Sequence, residues 1–498
     1  MSILLDRAEK CRGAMLATAI GDALGWPNEQ NSGNQVKLVT IDERFVEWTR
    51  RNKKPCYHDE KIHAGEYSDD TQLTLAVARS IIAGNWEKHF SEKELPFWLD
   101  YQRGGGRALL KAARTYQDGQ RMWQSKYAES YYSAGGNGAA MRILPHVVSN
   151  STGISGLIED VFKDAIITHG HPRAVLGAMC YAYALYYLMQ KEDVLEYGEL
   201  IDAVKSAKSI WGKYPNVHDF QRWLNAANGY YEYRGIWDSV VDSLISGMEF
   251  IHRSLEKGLL LDDTAVLESL GCFSTASGAG DVSVLAALFI ASKYANNPSL
   301  GLRVSASAIG ADTDTIASMV GGMLGMLCGT GWIPIGWRTV QDYNSIIQIT
   351  DILLADNRKS LRIENLDDAA WINTEIGRTR RINSETVRNK RNTVVITKWR
   401  TALGQTYYTK ELLIQKKTSG INLLTEETLP KEPEKQLILS SGDIAKLLIE
   451  PRFNQKLSAG KVLKIVQTLI EDSIPCSDIS KVFNVKQEVV DLLKSFLK

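Results

Sequence analysis

Hydrophobic residues recur at intervals of three and four along much of the first 355 positions, which is the spacing that gathers side chains on one face of a helix. Residues 7–20 carry such positions at Ala8, Cys11, Met15, Leu16 and Ala19. Longer apolar runs predict buried helices over 174–189 and 282–294, and a further helix over 343–354. Because strand-like alternation is scarce before residue 390, we predict an all-α main domain over residues 1–355.

The pattern changes beyond residue 355. Residues 356–391 are rich in charge and predict a basic linker. A β-rich segment follows over 392–429, with strand-like runs at 392–399 and 406–415. Only Glu385 opposes the basic side chains between residues 378 and 400, which are Arg378, Arg380, Arg381, Arg388, Lys390, Arg391, Lys398 and Arg400. Such a run is usually a solvated surface, and a nucleic-acid patch is the alternative.

Residues 430–498 predict helices again. Their arrangement, with a short helix capped by Ser477 and a turn at Asn484, is typical of a helix-turn-helix-like module. Its mixed charges fit a protein partner at least as well as nucleic acid. The fold class expected for the chain is therefore an all-α main domain followed by a smaller α+β C-terminal extension that ends in this module.

Composition limits the class of protein and its expected location. A chain of 498 residues with 44% hydrophobic residues, 12 Trp and 20 Tyr can form a large core, and its formal net charge of +0 gives no global attraction to nucleic acid or membranes. Six scattered cysteines without a C-x-x-C pair are typical of reduced thiols. The N-terminus lacks the apolar segment of a signal peptide, so we expect a cytoplasmic protein with no membrane association.

The most membrane-like window, residues 316–337, is interrupted by glycines and follows two aspartates. Ala317, Gly321 and Gly325 repeat there at every fourth position, a spacing that lets helices approach closely. We therefore expect a buried core helix and not a membrane span.

Two acidic clusters of the same design precede apolar helices. Ser68-Asp69-Asp70-Thr71 opens the run at 72–81, and Asp312-Thr313-Asp314-Thr315 opens the run at 316–325. A helix cap needs only one such residue, whereas two carboxylates with two hydroxyls form an all-oxygen donor set that suits a hard divalent cation. Either cluster alone could be a cap; the presence of two favours a metal site.

Two glycine-rich loops also precede predicted helices: Gly104-Gly105-Gly106, and Gly136-Asn137-Gly138. Backbone N–H groups in such loops can bind phosphate, and a plain turn is the alternative for the first. Neither loop has Walker or Rossmann spacing, so ATP or NAD binding in those folds is not indicated. Glu29 and His169 are further candidates, although a loop carboxylate is usually solvated and a single histidine is usually structural.

Together these motifs resemble the ADP-ribosylglycohydrolase family over about residues 10–345. The matching motifs are Gly21-Asp22-x-x-Gly25 with Glu29, Ser68-Asp69-Asp70-Thr71, Gly136-Asn137-Gly138-x-x-Met141-Arg142, Thr168-His169, and Gly310-x-Asp312-Thr313-Asp314-Thr315. The resemblance implies a compact all-α catalytic domain with two Mg²⁺ or Mn²⁺ ions. The implied metal ligands are Ser68, Asp69, Asp70, Asp312, Asp314 and Thr315.

The same resemblance implies a hydrolase that removes ADP-ribose from a modified macromolecule by cleaving the glycosidic bond at ribose C1″. The implied catalytic residues are Glu29, Asp70 and Asp312. Both glycine loops, Gly104 to Gly106 and Gly136 to Gly138 with Asn137, would hold the diphosphate, and His169 would border the ribose.

Arg107 stands where arginine-specific relatives often have an acidic residue, so the bond cleaved, to arginine, serine or another group, stays open. A modified protein side chain is the favoured substrate. The alternatives are a hydrolase for ADP-ribosylated nucleic acid, and a protein that binds ADP-ribose or inhibits a transferase with little turnover.

Overall fold

The fold is taken from a computed structural model that describes residues 5–29, 39–51, 59–258, 261–355, 371–388 and 393–413. All of these belong to the first of two units into which the chain divides, Met1–Lys416. The predicted helix-turn-helix-like module at 430–498 lies outside the described residues.

Helices make up most of this unit. In chain order they are α1 (Arg7–Gly25), α2 (Asp69–Ala83), α3 (Trp86–His89), α4 (Leu95–Trp98), α5 (Arg107–Gln117), α6 (Ala128–Tyr132), α7 (Leu144–Val148), α8 (Gly153–Thr168), α9 (Pro172–Gln190), α10 (Glu199–Ser206), α11 (Lys208–Trp211), α12 (Val217–Asn228), α13 (Tyr233–Leu255), α14 (Asp263–Ser269), α15 (Gly280–Lys293), α16 (Pro298–Ala306), α17 (Thr313–Cys328) and α18 (Tyr343–Leu354). A π-helical turn (Phe90–Glu94) joins α3 to α4, and 3₁₀ segments occupy Trp26–Asn28, Met122–Gln124, Ala140–Arg142 and Ile335–Thr339.

The strands form two antiparallel sheets. One is a hairpin of β1 (Trp48–Arg51) and β2 (Asp59–Ile62). The other has four strands in the order β3 (Trp371–Thr374), β4 (Gly377–Arg388), β5 (Thr393–Thr401) and β6 (Thr406–Leu413). The all-α prediction for the main domain therefore needs one correction, since a two-stranded hairpin lies within a segment that lacks strand-like alternation.

Helices α1 and α17 pack against each other almost backbone to backbone. A Cβ atom added at Gly21 would lie 2.1 Å from the carbonyl oxygen of Ala317, and one added at Gly321 would lie 2.0 Å from that of Ala17. A side chain at either glycine would therefore collide with main chain. This confirms the prediction that the small-residue repeat in α17 allows close helix packing.

The two helices are antiparallel, because Gly13 of α1 lies opposite Gly325 and Gly25 lies opposite Thr313. The C-terminal end of α1 is thereby placed beside the N-terminal end of α17, where one acidic cluster lies. Thr313 strengthens this junction by donating its hydroxyl to the carbonyl oxygen of Gly25 at 2.8 Å.

Strands β5 and β6 agree with the β-rich runs predicted at 392–399 and 406–415 wherever those runs fall on described residues. Residues 371–388, which we expected to belong to the basic linker, instead form β3 and β4. Arginines tolerate these strand positions because β4 is largely exposed, so its charged side chains keep their hydration.

Strand β6 attaches the sheet to the helices. Tyr407 is buried against Tyr101, with ring centroids 5.0 Å apart. The backbone N–H of Thr406 donates to Asp342 at 2.6 Å. On the other side of the strand, Lys410 forms an ion pair with Glu60 of β2.

Among the described helices, none is both long and apolar enough to cross a membrane. The described cysteines Cys11, Cys180, Cys272 and Cys328 are all free thiols.

Protonation of Glu60 provides a test of how the sheet is attached. Burial alone would raise the pKa of Glu60, but the charges of Arg103, Lys410 and Arg50 lower it from 4.5 to about 2. Because the folded-state pKa is the lower one, the ionised carboxylate adds about 3 kcal/mol to the free energy of unfolding above its ordinary pKa. That contribution is lost as the pH falls from about 4.5 towards about 2.

Urea titrations of the wild type and of Glu60→Gln measure this effect. We expect the two free energies of unfolding to differ by a constant amount above about pH 5 and to converge as the pH falls below it. A difference as large at about pH 3 as at neutral pH would contradict the prediction.

Candidate active site

Both acidic clusters face one cavity of about 880 Å³. Asp69 and Asp70 reach it from the first turn of α2, and Asp312 and Asp314 reach it from the head of α17. Glu29 lines the same cavity from the turn that follows α1. Five carboxylates from three distant parts of the sequence are thus brought together.

Electrostatic repulsion within this cluster is strong. Burial raises the pKa of Asp69 to about 8, and the charges of Asp22 and Asp312 contribute. Burial likewise raises the pKa of Asp70 well above its ordinary value, with further contributions from Asp22, Asp69 and Asp312. The pKa of Asp314 is raised by burial and by the charge of Glu29. Carboxylates on α2, α17 and the turn after α1 therefore act on one another, and a bound cation would relieve the repulsion.

Asp22 of α1 fixes the head of α2. It is fully buried and accepts the backbone N–H of Ser68 at 3.0 Å. It also accepts the backbone N–H of Thr71 at 3.0 Å and the Thr71 hydroxyl at 2.6 Å. Asp22 belongs to the Gly21-Asp22-x-x-Gly25 motif, but the sequence indicates no chemical role for it. Its place in the structure makes it the residue that orients Asp69 and Asp70.

Removing the Thr71 hydroxyl should weaken this arrangement measurably. We expect Thr71→Val to lower the free energy of unfolding by about 2 kcal/mol, because a buried carboxylate loses a hydrogen bond that nothing replaces. Thr71→Ser retains the hydroxyl and serves as the matched control in denaturant titrations. A Thr71→Val variant as stable as Thr71→Ser would contradict the prediction, because only the valine variant lacks the hydroxyl that Asp22 accepts.

The first glycine loop lies against the acidic cluster. Gly104, Gly105 and Gly106 all line the cavity. Gly104 has a φ of +112°, and a Cβ atom there would lie 2.5 Å from Oδ1 of Asp69. Glycine is therefore required at this position by both its backbone conformation and the space available.

The second glycine loop lines the same cavity. Gly136, Asn137 and Gly138 line it. The Asn137 side chain donates to Oδ2 of Asp312 at 3.0 Å and to the Ser283 hydroxyl at 2.9 Å. This loop therefore positions an acidic side chain as well as exposing backbone to the cavity.

The two histidines before α9 have different surroundings. His169 lines the cavity and is fully buried, and burial lowers its pKa to about 3, so the ring is neutral at pH 7. Its Nδ1 lies 2.8 Å from the Thr168 hydroxyl. His171 accepts the backbone N–H of Arg173 through Nδ1 and caps the helix. Of the two, His169 is the one placed to contact a ligand.

The predicted ligands differ in their access to the cavity. Thr315 lines it. Ser68 is fully buried, and its hydroxyl accepts the Asp70 N–H at 3.3 Å as the N-cap of α2. Among the described residues, Ser68 is thus the one predicted ligand that the structure leaves out of the cavity lining.

The donor chemistry of the cavity fits a hard divalent cation. Every predicted ligand offers oxygen, and Oδ2 of Asp70 is buried without a hydrogen-bond partner among the described residues. Within the described ranges, however, no group of three His, Cys, Asp or Glu side chains already has the arrangement of a metal site. The fit therefore lies in the kind and charge of the donors, not in a finished coordination shell.

Two basic residues of α5 occupy another part of the cavity wall. Arg107 and Lys111 line it, and Lys111 donates to the Ser130 hydroxyl at 3.3 Å. The sequence motifs included Arg107 but not Lys111, although the four-residue spacing places both on one face of α5. The cavity thus combines an acidic region with a basic one.

The sequence of the chain matches the model of a known protein family. The family is described as ADP-ribosylglycohydrolase, and the match covers residues 4–362. Because the match covers well over half of the 498 residues, the chain belongs to the ADP-ribosylglycohydrolase family.

Similar proteins include the uncharacterised protein YegU of Escherichia coli, 26% identical over 40% of this chain and 59% of that protein. The ADP-ribosyl-[dinitrogen reductase] glycohydrolase of Rhodospirillum rubrum is 27% identical over 36% of this chain and 58% of that protein. The ADP-ribosylhydrolase ARH3 of Xenopus tropicalis is 23% identical over 66% of this chain and 89% of that protein. The first two matches span less than two thirds of those relatives.

Proposed function

We propose that this protein is a metal-dependent hydrolase that removes ADP-ribose from a modified macromolecule by cleaving the glycosidic bond at ribose C1″. The observation that carries the proposal is the convergence of both acidic clusters, both glycine loops and His169 on one cavity, in a chain of the ADP-ribosylglycohydrolase family. The names of the similar proteins from Rhodospirillum and Xenopus point to the same reaction class.

The cavity offers each part of an ADP-ribosyl group a matching surface. Backbone N–H groups of the glycine loops suit the diphosphate, and Arg107 and Lys111 add positive charge at the same wall. His169, being neutral, can hydrogen-bond the ribose without adding charge. The reacting ribose would then lie over the carboxylates, with C1″ towards Glu29.

The carboxylates would carry out proton transfer and metal binding. Hydrolysis at C1″ passes through an oxocarbenium-like state, which negative charge nearby stabilises. Glu29 would accept a proton from the attacking water or return one to the leaving group. Two Mg²⁺ or Mn²⁺ ions would be held by Asp69, Asp70, Asp312, Asp314 and Thr315. Ser68 would support these ligands as the N-cap of α2. When bound, such ions orient ribose hydroxyls and activate water.

A single assay tests the proposal. The full chain is incubated with Mg²⁺ or Mn²⁺ and with ADP-ribosylated arginine, serine or nucleic acid, and released ADP-ribose is measured. Release from at least one substrate is expected, with a protein side chain favoured. Tight ADP-ribose binding without release from any of them would instead identify a binding or inhibitory protein.

Metal removal gives a further prediction. We expect chelation by EDTA to abolish release, and added Mg²⁺ or Mn²⁺ to restore it, because the clustered carboxylates repel one another without a cation. Thermal unfolding should also shift upward with either metal, since a ligand that binds only the folded state stabilises it. Full activity in EDTA would contradict the metal requirement.

A further inference from the structure

The residue that precedes the first glycine loop is anchored on three sides. The Arg103 side chain is buried and donates through Nε to Glu60 at 3.1 Å and through Nη1 to Glu66 at 2.9 Å. Its backbone N–H donates to Oε1 of Gln72 on α2 at 3.1 Å. Two charged partners and one backbone contact therefore fix where the Gly104 to Gly106 loop begins.

Both carboxylates that hold Arg103 are also held by the C-terminal sheet. The Tyr408 hydroxyl of β6 donates to Oε1 of Glu66 at 2.5 Å, and Lys410 of the same strand forms an ion pair with Glu60. The Tyr408 ring lies under Arg103, with its centroid 4.2 Å from the guanidinium carbon. One face of β6 thus touches every group that fixes this arginine side chain.

On its cavity side the loop lies close to the acidic cluster. Gly104 follows Arg103 directly and lies so close to Asp69 that an added Cβ would overlap Oδ1. A shift of the Arg103 backbone would therefore move the start of the loop relative to Asp69 and relative to any anion that the loop binds.

We propose that Tyr408 and Lys410 are positioning residues of the active site, which act through Glu66, Glu60 and Arg103 to hold the Gly104 to Gly106 loop against Asp69. The C-terminal sheet is then a working part of the catalytic unit and not an attached module. Its effect on ADP-ribose rests on the function proposed above, while its effect on the loop does not.

The test compares three variants of the full chain. Tyr408→Leu removes the hydroxyl and the ring under Arg103, Lys410→Met removes the charge at Glu60, and Glu411→Gln alters the exposed neighbour on β6 and serves as the matched control. Amide hydrogen exchange is followed in peptides that cover residues 102–109, and ADP-ribose release is measured at varied substrate concentration.

In Tyr408→Leu and Lys410→Met we expect faster exchange in the loop and a KM raised about tenfold, the usual effect of losing a supporting partner. The kcat should stay within about twofold, because the loop binds ground state and transition state alike. Glu411→Gln should behave as wild type. Tyr408→Phe, which keeps the ring, covers the case in which Tyr408→Leu does not fold, and it should give a smaller change in the same direction.

Unchanged exchange at residues 102–109 in folded variants, even with faster exchange in the sheet, would overturn the proposal. A wild-type chain that neither binds nor releases ADP-ribose would overturn the proposed function instead, and the exchange result would still decide the role of the sheet.

Discussion

Asp70→Asn is expected to reduce ADP-ribose release by at least a hundredfold. Asp70 lies close to the charges of Asp22, Asp69 and Asp312, and one of its carboxylate oxygens is buried with no hydrogen-bond partner in the described part of the chain. Asparagine keeps the shape of the side chain and removes the charge that a cation requires. Loss of one preorganised electrostatic group at a reacting centre typically costs a factor of about 10² to 10³ in turnover. Initial rates with saturating Mg²⁺ measure the effect.

The same variant should unfold at a temperature no lower than wild type in EDTA, because it lacks one of several mutually repelling charges. Its upward shift in unfolding temperature with Mg²⁺ should be lost. Asp118→Asn, on an exposed residue after α5, is the matched control for both measurements. Normal turnover by Asp70→Asn would exclude Asp70 from the catalytic machinery.

Gly321→Ala should destabilise the whole domain. The new methyl group would lie 2.0 Å from the carbonyl oxygen of Ala17, so α1 and α17 would have to move apart along their contact. Overpacking against main chain cannot be relieved by a side-chain rotation, and we expect a loss of about 3 kcal/mol or more in the free energy of unfolding.

Gly331→Ala provides the comparison, because Gly331 is exposed and an added Cβ there meets no atom of the described residues within 4 Å. Urea titrations followed by circular dichroism should place this control near wild type. If Gly321→Ala were as stable as Gly331→Ala, the two helices would not be packed as tightly as described.

The elements that carry the acidic clusters could be predicted because their signals are local. A run of carboxylates and hydroxyls before an apolar helix is visible within about ten residues, and α2 and α17 begin where that signal lies. The small-residue repeat in α17 likewise predicted its close packing. That the two clusters lie close together in space was implied by the family resemblance and not by the hydrophobic pattern.

The strands that were missed lack such signals. β1 and β2 are four residues each and mostly polar, so neither hydrophobic alternation nor length distinguishes them from a loop. β4 carries several arginines and is largely exposed, which gives it the composition of a linker. Its strand conformation depends on pairing with β3 and β5, and such pairing is not visible in a single segment.

The supporting residues were missed for a related reason. Asp22 acts on Ser68 and Thr71, about fifty positions away, and Arg103 is held by groups contacted from β6, about three hundred positions later. A buried ion pair between distant residues leaves no periodic or local trace in the sequence. Only the folded arrangement of the described residues reveals these roles.

The pairing of α1 with α17 also has a consequence for folding during synthesis. The ribosome completes α1 long before it reaches residue 328. The glycine face of α1 therefore cannot pack against α17 during most of translation. A product that stops before Thr313 would contain one acidic cluster and no opposing one. Such fragments would expose apolar surface, and cellular quality control would be expected to degrade them before any of them could bind substrate.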